Sequence, residues 1–105
     1  MSRADLKRQL ATSAALEAEL NKERASGLGR TARQLEELLA SCSTLRAELE
    51  HAKGDHRRVL LEEYDAVRRR AEEVRWYLMV QREAIGARRH DDVDALYPRP
   101  PVIRS

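Results

Sequence analysis

The residues of this chain that carry reactive or metal-binding groups are few: one cysteine, three histidines and a set of carboxylates. Glu48 and His51 have the Glu-x-x-His spacing that puts a carboxylate and an imidazole on one helix face in di-iron bundles. That chemistry needs both groups to point inward and to meet carboxylates from other helices. Leu45, Leu49 and Ala52 hold the apolar side of this stretch, which leaves Glu48 at its edge and His51 towards solvent, and no second such pair follows. His51, Asp55 and His56 read better as capping groups around a turn than as ion ligands. His90, Asp91, Asp92 and Asp94 sit at one helix end, which offers few ligands without partners from elsewhere. No metal site and no cofactor is expected.

Catalysis finds no better support. Cys42 falls on a core position of a leucine-rich stripe, where a thiol behaves as a small hydrophobe. Ser41 and Ser43 have no histidine in register. Gly27-Leu28-Gly29 lacks the third glycine and the preceding strand of a nucleotide-binding loop. The sequence reads as that of a non-enzyme.

Arg68, Arg69, Arg70 and Arg75 form a basic cluster that could touch phosphates. Helical spacing pairs Asp65 with Arg69, Arg68 with Glu72 and Arg69 with Glu73, so an ion-paired, solvated face is the favoured reading. The chain carries 20 basic against 18 acidic residues, and its net charge of +2 is not gathered into any basic arm. Nucleic acid is therefore disfavoured as a partner.

The elements that position these groups are helical. In 105 residues, a charged share of 36% against 4% aromatic leaves too little material for a thick core and points to a long, thin architecture. Ala, Leu, Glu and Arg dominate, and strand-favouring residues are scarce. From Leu35 the apolar positions step through Leu38, Cys42, Leu45, Leu49 and Ala52 by threes and fours, the seam of a coiled coil. A second seam follows as Leu60, Tyr64, Val67, Ala71, Val74, Leu78 and Ile85, with Gln81 its one polar member. Lys53-Gly54-Asp55 between them reads as a tight turn, with Gly54 past one helix end and Asp55 capping the next. Ser2 and Asp5 form a capping box that starts a helix at residue 3.

Residues 3–25 carry Leu6, Leu10, Leu16 and Leu20, which do not all fit the register of the later seam. Gly27 and Gly29 would together cost about 2 kcal/mol inside a helix, so a break there is favoured over a kinked continuous helix. If the chain reverses, the first helix completes a three-helix bundle. If it continues, the first two stretches form a rod of roughly 75 Å that one chain cannot cover, and association follows.

The expected fold is all-α, an elongated antiparallel helical hairpin or three-helix coiled-coil bundle. Residues 1–90 form the helical domain, with helices at about 3–25, 30–52 and 55–89, the last ending on Arg88, Arg89 and His90. Residues 91–105 form a short turn and an extended, proline-rich tail.

Trp76 falls opposite the second seam, and Trp76-Tyr77-Leu78-Met79-Val80 is apolar all round the helix. Something beyond the hairpin partner must therefore pack there: the reversed first helix, the Tyr97–Ile103 tail or another chain. Trp76, Tyr77, Met79 and Val80 read either as internal core, which is favoured, or as a patch for a partner. Pro98-Arg99-Pro100-Pro101 fits the PxxP spacing of polyproline ligands, but a tail that packs on its own helix through Tyr97 and Val102, or stays disordered, is favoured, and a tail that docks on a partner as an anchor is a third option.

The functional expectation is a non-catalytic coiled-coil adaptor or structural subunit. It self-associates as a dimer or higher oligomer and presents the Trp76 region, with Tyr97, Pro98, Pro100 and Pro101 of the tail, to a protein of unknown identity. The alternative is a nucleic-acid-associated helical protein that uses Arg68–Arg75. A single cysteine, no signal-like start and no long apolar run point to a cytoplasmic protein without a membrane span.

Overall fold

Helix α1 starts where Ser2 can cap it. In the computed structural model of the chain, which describes residues 2–87 and 90–104, the Ser2 hydroxyl accepts the Asp5 N–H at 3.2 Å and contacts the Asp5 carboxylate at 2.8 Å. From there α1 (Arg3–Leu49) runs uninterrupted for 47 residues. The break expected at Gly27 and Gly29 does not occur, and the expected helices 3–25 and 30–52 are one. Neither glycine has a positive φ. The Thr31 hydroxyl donates to the Gly27 carbonyl at 3.0 Å, and Leu28 and Ala32 pack against the core. Those contacts, with strong helix formers on both sides, offset the glycine penalty of about 1 kcal/mol each.

After α1, Ala52 tucks into the turn against Leu49 and Leu60. Gly54, at φ +59°, opens α2 (Gly54–Ala84) in a left-handed conformation that favours glycine. Asp55 does not cap this helix as expected. It lies in the first turn and binds Arg58 at 2.9 Å. Arg57 reaches back across the turn and donates to the Leu49 carbonyl at 2.6 Å, satisfying one of the acceptors that a helix C-terminus leaves open.

Helix α2 ends before residue 89, its expected limit. Gly86, at φ +95°, lets its own N–H reach the Glu83 carbonyl and the Ala87 N–H reach the Arg82 carbonyl, both at 3.0 Å. This is a Schellman closure. Of the residues expected to finish the helix, Arg88 and Arg89 lie outside the described residues, as do Met1 and Ser105 at the ends of the expected domains. A short helix, α3 (Asp91–Leu96), follows. No strand occurs among the described residues.

The two long helices pack as an antiparallel hairpin. Leu35 meets Ala71, Val74 and Leu78 at one end, and Cys42 and Leu49 meet Leu60 and Tyr64 nearer the turn. The third layer is the C-terminal segment and not a reversed first helix. Val93 of α3 is buried with Leu35 and Leu78. Residues 97–104 carry no helix or strand and run back along the hairpin until Ile103 packs on the Leu49–Leu60 cluster. Ile103 takes the place expected for Val102, which is exposed.

Polar contacts fasten this strap along its length. Arg82 pairs with Asp92 at 2.9 Å, the Tyr64 hydroxyl donates to the Pro101 carbonyl at 2.5 Å, and Arg99 lies 3.8 Å from Glu72. The molecule measures 78 × 21 × 15 Å, because α2 and the strap cover only the C-terminal half of α1.

Burial pushes the Tyr64 hydroxyl above its ordinary value of 10.0, which favours the protonated donor in the folded state. Its contribution is therefore complete below pH 10 and is lost as the pH rises through the folded value. Tyr64→Phe is expected to cost about 1 kcal/mol at neutral pH and to flatten the fall in stability above pH 10. Urea titrations at pH 7 and pH 11 check this, and an unchanged alkaline slope in the variant would contradict it.

Candidate functional site

Helix α2 turns Ala71, Val74 and Leu78 inward, and this fixes what the opposite side presents. Trp76, Tyr77 and Val80 lie on the outer face, with Trp76 63% and Tyr77 57% exposed. The two rings meet edge to face, centroids 5.6 Å apart and planes at 77°, a favourable arrangement for an aromatic pair. Exposed Glu73 lies one turn away and pairs with Arg70 at 2.8 Å, giving the patch a charged rim. The reading of Trp76 as internal core does not hold: neither α1 nor the strap covers it.

The other residues expected at this site go elsewhere. Met79 is half-buried and packs against the Leu35–Val93 cluster. Tyr97 is half-buried in the strap, and its hydroxyl donates to Glu36 at 3.5 Å. Pro98 and Pro101 are exposed and Pro100 is half-buried, with the Pro101 carbonyl engaged by Tyr64. The eight expected residues thus divide between an outward patch of three and a group held within or along the molecule.

A second apolar surface lies on the uncovered half of α1. Residues 2–26 are exposed throughout, and Leu6, Leu10, Leu16 and Leu20 are 44% to 62% exposed. A fully buried leucine side chain contributes about 1.5–3 kcal/mol, a gain these four forgo in the single chain.

The basic cluster is altered most by folding. Arg75 is 2% exposed, lies beside the core residues Val74 and Leu78, and donates to the Tyr97 carbonyl while Asp94 approaches at 3.4 Å. Burial lowers its pKa from the ordinary guanidinium value, yet arginine stays charged. It therefore fastens the strap and does not share an outer surface with the other three. Asp65 holds Arg68 at 2.7 Å and Arg69 at 3.0 Å, and these hydrogen-bonded guanidinia, Arg68 first, lower the Asp65 pKa. The expected Asp65–Arg69 pair forms. In place of the other two expected pairings, the ion pairs are Arg68–Asp65 and Arg70–Glu73.

Sequence reasoning missed Arg75 and Val93. The signal for Arg75 was its place in the set 71, 74, 75, 78, the inward face of a helix. For Val93 it was a lone apolar residue among Asp91, Asp92 and Asp94.

Glu48 and His51 are both exposed, and His90 faces Glu83 at 3.1 Å. Among the described residues no three His, Cys, Asp or Glu side chains converge on a point, and no helix is long and apolar enough to cross a membrane. Comparisons of the chain with protein-family models, with curated proteins and with solved structures give no match in any of the three.

Cys42 is buried and free, and burial pushes its thiol up against the smaller opposing effects of Arg68 and Arg46. A thiol reagent is expected to label it slowly in the folded chain and fast in urea. Equal rates in the two conditions would contradict its burial.

Proposed function

We propose that this chain is a non-catalytic helical interaction module that self-associates and offers the Trp76–Tyr77–Val80 face of α2 to a protein partner. The observation that carries the reading is the exposure of the chain's only tryptophan on a hairpin whose own groove is filled by its C-terminal strap. Tryptophan and tyrosine with an arginine-bearing rim are the residue types that dominate binding energy at protein interfaces. The free leucines of α1 supply a separate surface for self-association. The tail serves this function from inside, closing the groove so that the outer face of α2 is what the hairpin presents. A phosphate-binding role through Arg68–Arg75 gains no support, because one of the four guanidinia is enclosed and the others are paired.

Trp76→Asp is expected to leave the circular dichroism spectrum and the urea midpoint nearly unchanged, since an exposed position shifts stability by only about 0.5 kcal/mol. The same change should remove the specific partner from affinity capture read by mass spectrometry. Capture of the same proteins by wild type and variant alike would overturn the aromatic face as the binding surface. Capture that collapses between low and moderate salt would favour an electrostatic ligand instead.

A further inference from the structure

The leucines on the uncovered half of α1 are spaced symmetrically about one residue. Leu10 and Leu16 lie three residues on either side of Ser13, and Leu6 and Leu20 lie seven on either side. At 3.6 residues per turn all four fall within an arc of about 120° with Ser13 at its centre, and all four are exposed. A pattern unchanged when the helix is reversed end for end suits a two-fold contact, in which residue i of one copy meets residue j of the other and j meets i.

The charges are arranged with the opposite sense. Residues 3–8 carry Arg3, Lys7 and Arg8 against Asp5, whereas residues 17–24 carry Glu17, Glu19 and Glu23 against Lys22 and Arg24. Reversal therefore brings a basic segment onto an acidic one, while a parallel, in-register pairing would lay like on like. With Ser13 opposite Ser13, Lys7 comes within one turn of the second copy's Glu17 along the same edge. At each end Arg3 lies on the same edge as the second copy's Arg24 and Asp5 on the same edge as its Glu23, so the ends add no attraction and the complementarity is carried by the residues between them.

The hairpin leaves room for such a contact. Helix α2 ends at Ala84, with Gln81 beside Gly27, so the face of α1 before Gly27 has no neighbour among the described residues. The leucine stripe lies within about 50° of the Leu28–Leu35 face that α2 covers. It continues the intramolecular seam past the point where α2 stops.

We infer that residues 3–24 of α1 form the contact between two copies of this chain, antiparallel and centred on Ser13, with Leu6 layered on Leu20 and Leu10 on Leu16 of the second copy. This rests on the self-association in the proposed function and gives it a partner, a direction and a register. The occupant of the stripe is a second copy because the leucine pattern and the charge pattern both complement themselves under one and the same reversal. An unrelated partner would require neither.

The test uses the full chain. Wild type is expected to sediment as a concentration-dependent dimer. Leu10→Asp, which touches nothing in the hairpin, should raise the dimer dissociation constant about a hundredfold, because the change occurs twice in the contact. Under oxidation, Ser13→Cys should close a disulfide with itself, and Leu6→Cys and Leu20→Cys should each remain unlinked alone but link when mixed, with wild type as the control for Cys42. A dimer in which Leu6→Cys links to itself, in which Ser13→Cys stays unlinked, or which Trp76→Asp dissolves and Leu10→Asp does not, would overturn this pairing and leave self-association standing. A wild-type chain that stays monomeric at every concentration would overturn both.

Discussion

A guanidinium enclosed by a leucine seam decides the shape of this molecule. Arg75 occupies a position on α2 that would ordinarily hold an apolar residue, and burying its charge would cost several kcal/mol without compensation. The compensation is the backbone carbonyl of Tyr97 together with the carboxylate of Asp94, and both belong to the C-terminal segment. That segment must therefore lie along the hairpin for Arg75 to lie within it. Once there, it delivers Val93 to one end of the core and Ile103 to the other. A polar requirement at one residue thus specifies where the third layer comes from, a use of buried charge in which geometry matters more than net stabilisation.

The C-terminal segment occupies the groove beside Leu35 and Leu78, and residues 3–26 continue straight on from the hairpin. A solitary helix of this length is marginal in water when no tertiary contact holds it, and this one carries leucines where isolated helices gain most from charge pairs. The fold thereby leaves two separate apolar faces open, the leucine stripe on α1 and the aromatic patch on α2.

Much of this was readable from periodicity. The steps of three and four from Leu35 to Ala52 and from Leu60 to Leu78 located both halves of the seam, and Gly54 located the turn between them. The continuity of α1 was not readable, because a glycine penalty counted locally omits the tertiary contacts of Leu28 and Ala32 that offset it. The end of α2 was overlooked although Gly86 marked it, since Ile85 prolonged the apolar rhythm up to the closure. The aromatic patch was located by residue number, but whether it faced inward depended on which element filled the groove. That depended on Arg75, a residue whose charge drew it into a surface cluster while its spacing placed it in the core. For the functional surfaces, composition pointed to helices that bind other helices, and only the packing separated Trp76, Tyr77 and Val80 from Met79 and the tail.

The C-terminal segment, and not the first half of α1, forms the third layer of the hairpin, and nuclear Overhauser contacts of the methyl groups test this. Contacts are expected from Val93 to Leu35 and Leu78 and from Ile103 to Leu49 or Leu60, with none between Leu6, Leu10, Leu16 or Leu20 and α2 of the same chain. Contacts from Leu10 or Leu20 to the Trp76 ring, with Val93 and Ile103 free of the core, would contradict it.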